Sequence, residues 1–255
     1  MKNSKKKYML KSAVIKVITN SVMILWMNFV IFPFYPQCMC KNSGILVDKK
    51  IDISEKTVNK NLDYLKIDIK VPVFINGKDE SNVENINNIS KDIINRAFKT
   101  ENEIKEEFNN KETLLFPYEI KSVYTVTEKN DNIISLYNDY YEYFGGAHGS
   151  TIRNGYTIDR NNEKIIGLKD LFLDNYDYKD IINNKIREEI GKNTNDYFYT
   201  SESFKGISDE QGFYINNGDI VVFFNQYEIA PYVAGIPEFK IPIKEFGTNF
   251  KYLAT

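Results

Sequence analysis

The 255-residue chain contains one histidine, His148, and two cysteines, Cys38 and Cys40. A zinc-dependent deacetylase or metalloprotease needs two or more imidazoles at fixed spacing, so that chemistry is excluded. Cys-His catalysis goes with it, because both thiols precede residue 41 in a segment that reads as an export signal. Those two cysteines are also too close in sequence for an ordinary stabilising disulfide, and no disulfide is expected in the folded part. No Gly-x-Ser-x-Gly elbow is present for Ser-His-Asp catalysis. The glycine run at Gly145–Gly149 lacks the Lys-Ser/Thr of a phosphate-binding loop. No metal and no cofactor are expected.

A basic surplus is lacking too. Lys and Arg number 33 against 35 Asp and Glu, a formal net charge of -2. Residues 1–40 hold six of the lysines and no acid, so the remainder carries 27 bases against 35 acids, a net of -8. Phosphate binding needs a basic face, and nucleic acid is excluded as a partner of such a domain. An acidic body suits a cationic partner, or is simply a soluble surface. The acids are numerous enough for a two-carboxylate glycosidase, but nothing in the sequence marks a pair, and solvated surface groups are the simpler account.

The N-terminus is different in kind. Met1–Lys11 is short and basic, and an apolar stretch from Val17 to Tyr35 follows, interrupted by Thr19, Asn20 and Asn28 and ended by Pro33 and Pro36. That order reads as a signal peptide or signal anchor over residues 1–40. Cys38 and Cys40 suit the −3 and −1 positions of a cleavage site before Lys41. The chain is therefore expected to be secreted, or held at the membrane by residues 12–36, with its bulk outside. Membrane contact is expected only through this segment.

Residues 41–60 are polar and mixed and read as a linker. Leu65, Ile67, Ile69, Val71 and Val73 then alternate with polar residues and Pro72, the period of a half-buried strand. Pro72 argues for an edge strand or a bulge. A helix is expected over Ser81–Asn110, with Ile86, Ile89, Ile93, Ala97, Ile104 and Phe108 on one stripe and Ser81 as N-cap. Strands follow at Tyr118–Glu128 and Ile133–Phe144, then a hairpin of Tyr156–Asp159 with Glu163–Ile166. Helical segments are expected at Leu168–Leu173 and Tyr178–Ile190, the latter capped by Gly191. Phe213–Ile215 and Ile220–Phe224 flank Asn217-Gly218, the strongest short hairpin signal, and Phe239, Ile241 and Ile243 make a last strand. The fold class is α+β: an antiparallel sheet with helices packed on it, in two small lobes at 60–148 and 150–250.

His148 stands among three glycines. A tight turn with the imidazole bonded to a neighbouring carbonyl is one reading; a ligand contact or pH-sensitive contact is the other. Tyr137, Tyr140, Tyr141 and Tyr143 alternate along one strand, which sends some rings to the core and leaves others as binding anchors.

Two stretches carry a resemblance. One runs Tyr140-Tyr141-Glu142-Tyr143-Phe144-Gly145-Gly146-Ala147-His148-Gly149. The other runs from Tyr227-Glu228-Ile229-Ala230-Pro231-Tyr232 through Val233-Ala234-Gly235-Ile236-Pro237-Glu238 to Pro242. Together they resemble the paired extracytoplasmic domains of RsiV-type anti-sigma factors, a pair also found ahead of the catalytic domain in PdaC-type peptidoglycan deacetylases. The resemblance covers roughly residues 60–246. It implies a sensor that binds lysozyme, or peptidoglycan, outside the cell, with Tyr140, Tyr141, Tyr143, Gly145, Gly146, His148, Tyr227, Glu228 and Tyr232 as the ligand-binding set.

Only about ten residues precede the apolar run, too few for one stable helix, so no sigma factor is expected as a partner. The histidine count opposes deacetylation, and no catalytic residue is expected. A stand-alone binding module is therefore the leading expectation; an enzyme acting on wall glycan, or a purely structural exported domain, are the competitors. Residues 1–45 fused to a reporter active only outside the cytoplasm should give signal, and mass analysis of the product separates cleavage near Cys40 from retention; a silent fusion contradicts export.

Overall fold

The computed structural model describes residues 49–108 and 116–252. The segment read as an export signal and the first part of the expected linker lie outside the described residues. The elements are β1 (Asp52–Asn61), β2 (Leu65–Ile75), α1 (Glu80–Phe108), β3 (Tyr118–Lys129), β4 (Ile133–Tyr143), β5 (Ser150–Asp159), β6 (Lys164–Ile166), α2 (Tyr178–Lys192), β7 (Phe213–Asn216), β8 (Asp219–Phe223) and β9 (Glu238–Pro242). Six strands form one sheet in the order β1-β2-β3-β4-β5-β6, and β7-β8-β9 form a second. The fold is α+β. One pair departs from the antiparallel expectation: β2 and β3 run parallel, because α1 is the crossover between them and returns the chain to the same end of the sheet.

The period-two pattern decides what each face of the large sheet meets. Along β4, Ile134, Leu136 and Tyr140 join Ile86, Ile89, Ile93 and Ala97 of α1 in one core. The alternate residue Ile133 joins a second core with Ile182, Ile186 and Ile190 of α2 and with the second sheet. Both faces of β4 are thus covered, and Ile133, Ile134, Ser135 and Leu136 are all buried in succession.

The second sheet meets the first edge-on, through β7. The backbone of Ile215 finds its partners in side chains of the large sheet: its N–H donates to Ser135 Oγ at 2.8 Å, and its C=O accepts from Thr127 Oγ1 at 2.7 Å. Ser135 and Thr157 hydroxyls are 2.8 Å apart, so the pair is itself hydrogen-bonded between β4 and β5. Buried serine and threonine here satisfy a strand edge that would otherwise be buried unpaired. At Gly155 the approach is closer still: a Cβ there would lie 1.9 Å from the Phe213 carbonyl oxygen.

Several local expectations need correction. Residues 52–61, read as the end of a linker, form β1, which pairs with β2 along its length, Asp52 with Ile75 through Asn61 with Lys66. Its residues are mostly exposed, so it carries little of the alternation that marks a strand; backbone pairing holds it. β2 is therefore not an edge strand. Pro72 is tolerated because β3 pairs with β2 only as far as Ile69, leaving no neighbour that needs its missing N–H.

Asp79, not Ser81, caps α1, its carboxylate accepting from the N–H groups of Ser81 and Asn82 at 2.8 and 3.2 Å. The buried Glu163 carboxylate takes the N–H groups of Lys78 and Asp79 just ahead of it. Gly191 lies inside α2, which continues to Lys192 with Asn193 as C-cap. The helical stretch expected over Leu168–Leu173 is a short 3-10 turn at Leu168–Leu171. β5 starts six residues before the expected Tyr156, since its first half pairs fully with β4.

The β5–β6 turn is built on Asp159. Its buried carboxylate accepts from Asn161 N, Asn162 N, Asn162 Nδ2 and Tyr252 Oη. Burial raises its pKa, but those hydrogen bonds outweigh it and leave the group below the usual carboxylate range. The β7–β8 hairpin turns on Asn217 and Gly218, both at positive φ, as the Asn-Gly pair requires.

Gly155→Ala should lower stability by about 1–3 kcal/mol, because the added methyl forces the Phe213 backbone away. Urea unfolding measures this; an unchanged midpoint contradicts the edge-on packing of β7.

Candidate functional site

Two loops meet at the β4–β5 end of the large sheet. The first, residues 144–149, leaves β4 through Gly145 and Gly146, both at φ 89°, a region that only glycine enters without strain. Tyr143 Oη donates to the Gly146 carbonyl at 3.1 Å. The chain then passes against Tyr141, where a Cβ on Gly149 would lie 2.4 Å from the ring. The second loop, residues 224–237, links β8 to β9. Its Tyr232 donates a hydrogen bond to the Gly149 carbonyl at 3.1 Å, and the same carbonyl is 3.0 Å from His148 Nδ1.

The imidazole of His148 stacks on the Tyr232 ring at 3.8 Å between centroids and 19° between planes. Tyr227 lies beyond, 5.8 Å from Tyr232. These three rings form a short ladder across the two loops. Tyr227 is 57% exposed and the neighbouring Val233 90% exposed, so the ladder ends in solvent. The backbone of Tyr227 is at φ 66°, unusual for a bulky residue and costly unless its surroundings impose it.

The surroundings do impose it. Asn225 pairs with the backbone of Arg153 on β5, accepting from its N–H at 2.7 Å and donating to its C=O at 3.2 Å. Gln226 accepts from Thr151 N at 2.9 Å. Glu228 folds back to accept from Asn225 N. Asn225 and Gln226 thereby fasten the loop to the outer edge of β5 just ahead of the strained residue, and Glu228 just after it closes the turn back on Asn225.

Arg153 fastens the second lobe from below. Its guanidinium donates to both oxygens of Asp139 at 2.7 and 2.8 Å, pairs with Glu238 of β9, and lies 3.9 Å from the Tyr137 ring centroid. Burial alone would lower its pKa, but the Asp139 hydrogen bonds and the charges of Asp139 and Glu238 raise it further, so it stays protonated.

Of the nine residues singled out from the sequence, eight gather at these two loops or the adjoining end of β4: Tyr141, Tyr143, Gly145, Gly146, His148, Tyr227, Glu228 and Tyr232. Tyr140 does not. The pleat turns it to the opposite face, where it is 2% exposed beneath α1. Arg96 lies over its ring at 4.2 Å and pairs with Glu142 at 2.8 Å, and burial drives the phenol well above its ordinary pKa. Asn225, Gln226, Arg153, Asp139 and Glu238 were not singled out, since their pairings span 14 to 85 residues and leave no local pattern.

The ladder offers ring faces, with the carboxylate of Glu228 next in sequence to Tyr227. His148 contacts a carbonyl and a ring, not a nucleophile or an acid. Among the described residues, no group of three or more His, Cys, Asp or Glu could hold a metal ion.

Comparison with known proteins places these loops. Residues 58–151 match the family described as "Deacetylase PdaC", and residues 169–244 match the family described as "Protein of unknown function (DUF3298)". The anti-sigma-V factor RsiV of Bacillus subtilis (strain 168) is 29% identical over 219 residues, covering 72% of this chain and 75% of its own. The two matched segments and this relative support an RsiV-type and PdaC-type domain pair in this chain. Two solved DUF3298 proteins share the fold: one from Bacteroides fragilis with a TM-score of 0.53 and 17% identity, covering 80% of this chain and 95% of its own, and one from Pseudomonas aeruginosa with 0.55 and 14%, covering 80% and 94%.

The ladder of this RsiV-type pair joins its two matched segments, His148 closing the first and Tyr227 and Tyr232 lying in the second. Tyr232→Phe, which keeps the stack and deletes one hydrogen bond, should cost about 1 kcal/mol; His148→Ala should cost a similar amount by removing the stack. Both should speed amide hydrogen exchange in residues 144–150. Exchange unchanged in both variants contradicts the ladder.

Proposed function

We propose that this RsiV-type pair is an exported, non-catalytic binding module of the cell envelope, and that its ladder receives a cationic protein such as lysozyme. The observation that carries the reading is the His148–Tyr232–Tyr227 ladder, assembled from both matched segments and open to solvent at Tyr227. Exposed tyrosine on a rigid loop makes a good anchor, because it buries a large ring with few rotatable bonds. The net of -8 beyond residue 40 supplies long-range attraction for a cationic partner. The curated relative is named an anti-sigma factor rather than an enzyme. The basic and apolar N-terminal segment supports an extracytoplasmic location, secreted or anchored by residues 12–36.

Wall glycan is the second ligand class. A sugar face stacks on an exposed aromatic ring, and Tyr227 offers one beside the carboxylate of Glu228.

Electrostatics should govern the rate of encounter and the aromatic anchor the lifetime of the complex. In surface plasmon resonance with lysozyme on the full chain, raising salt from low to physiological strength should slow association, as the Debye length shrinks to about 8 Å. Tyr227→Ala should mainly raise the dissociation rate, with a loss of about 2 kcal/mol. No lysozyme affinity at low salt overturns the cationic-protein reading; binding of soluble peptidoglycan fragments by the same sample then identifies the glycan class.

A further inference from the structure

The outer edge of β5 is only partly covered. β5 spans Ser150–Asp159, but β6 pairs with it only through Thr157, Ile158 and Asp159. After Ile166 the chain turns away at Gly167 into the 3-10 turn of Leu168–Leu171. Over residues 151–156 no strand among the described residues lies outside β5. Two side-chain amides stand there instead: Gln226 takes the N–H of Thr151, and Asn225 takes both the N–H and the C=O of Arg153. An Asn or Gln side chain offers the same donor and acceptor as a peptide bond, so this edge is capped by two mimics of an adjoining strand.

A groove runs along that edge. On the second-lobe side is a cleft of about 450 Å³, walled by Gly155, Ser208, Glu210, Gly212, Asn225 and Glu228 among others. On the α1 side is a cleft of about 380 Å³, walled by Asn88, Asp92, Arg96 and Tyr140 among others. Asn154, Tyr156 and Ile165 line both, so the two clefts are the two sides of one groove over β5.

The groove has a sign. Its cations are already committed: Arg153 to Asp139 and Glu238, and Arg96 to Glu142. Asp209 pairs with Lys179. Asp92, Glu210 and Glu228 make no ion pair among the described residues, which leaves acids uncompensated on both walls. The Tyr140 hydroxyl on the α1 wall is buried without a well-placed hydrogen-bond partner, beside the Arg96–Glu142 ion pair.

We propose that the outer edge of β5 receives an extended segment bearing Lys or Arg side chains, added to the large sheet as a further strand. The backbone of that segment replaces the Asn225 and Gln226 amides on Thr151 and Arg153 and continues past Gly155, so the hydrogen-bond count is kept by exchange. Its side chains alternate between the two walls, so that basic residues on its two faces reach Asp92 on one side and Glu210 and Glu228 on the other. Asn225 and Gln226 directly precede Tyr227, so the same event moves the loop that holds the ladder. The segment's source, a cationic protein, rests on the function proposed above; the edge and its charge do not.

Fluorescence anisotropy on the full chain with three labelled ten-residue peptides tests this: a Lys-Lys-Thr-Thr repeat, whose lysines fall on both faces of a strand, the matching Glu-Glu-Thr-Thr repeat, and the lysine repeat N-methylated at every residue. The first should bind and the other two should bind at least tenfold more weakly, since one lacks the charge and the other the edge donors. Glu210→Lys with Asp92→Lys should weaken the first peptide at least tenfold, with circular dichroism confirming the fold. Equal binding of the N-methylated peptide overturns strand addition, and equal binding of the glutamate peptide overturns the charge assignment. Lysozyme binding that depends on Tyr227 while no peptide binds overturns the groove alone and leaves the ladder in place; peptide binding without lysozyme binding supports the groove and removes the ladder's ligand.

Discussion

Arg153 carries the connection on which the presented surface depends. It sits on β5, grips Asp139 on β4 through two hydrogen bonds, and reaches Glu238 at the start of β9. Its side chain is 11% exposed, so the charge cannot be left without partners. Removing one partner of a buried pair costs about 3–5 kcal/mol, towards the lower end here because Asp139 and Glu238 keep 30% and 33% of their surface in water. The backbone of the same residue holds Asn225. Side chain and main chain of one arginine therefore fix both ends of the segment that carries Tyr227 and Tyr232.

Around that point the two sheets are joined by polar groups, not by apolar area alone. Ser135 and Thr127 supply the partners that β7 would lack when its edge is pressed on a sheet face, and Gly155 removes the one side chain that would hold it off. The consequence is geometric precision: hydroxyl-to-backbone bonds set the register of the small sheet against the large one, where apolar packing tolerates sliding. A binding surface assembled from loops of both parts needs that register, because a shift of an ångström separates the His148 and Tyr232 rings.

The helix on the other face does a different job. α1 covers the even residues of β4 and buries Tyr140, while the odd residues face the second lobe. One strand thus feeds both the core and the surface that the ladder occupies, and the groove over β5 opens where α1 and the 208–212 loop fail to meet. The edge capped by Asn225 and Gln226 and the ladder at Tyr227 are neighbours in sequence, which couples them physically.

Local pattern was enough for much of this. Alternation marked β2, the 3.6 period marked α1 and α2, and Asn217-Gly218 marked its hairpin, because each depends on residues within a few positions of one another. The single histidine argued from the sequence alone against zinc-dependent chemistry, and the two motif stretches pointed to the loops that meet. Tertiary structure alone decided the rest. β1 has too little apolar alternation to declare itself and becomes a strand only because β2 offers an edge. Tyr140 and Tyr141 are adjacent in sequence, and the pleat sends one under α1 and the other towards the ladder. The Arg153 cluster, the amide caps of Asn225 and Gln226 and the His148–Tyr232 stack all pair residues many positions apart, and such pairings exist only once the sheet has brought the chain back on itself.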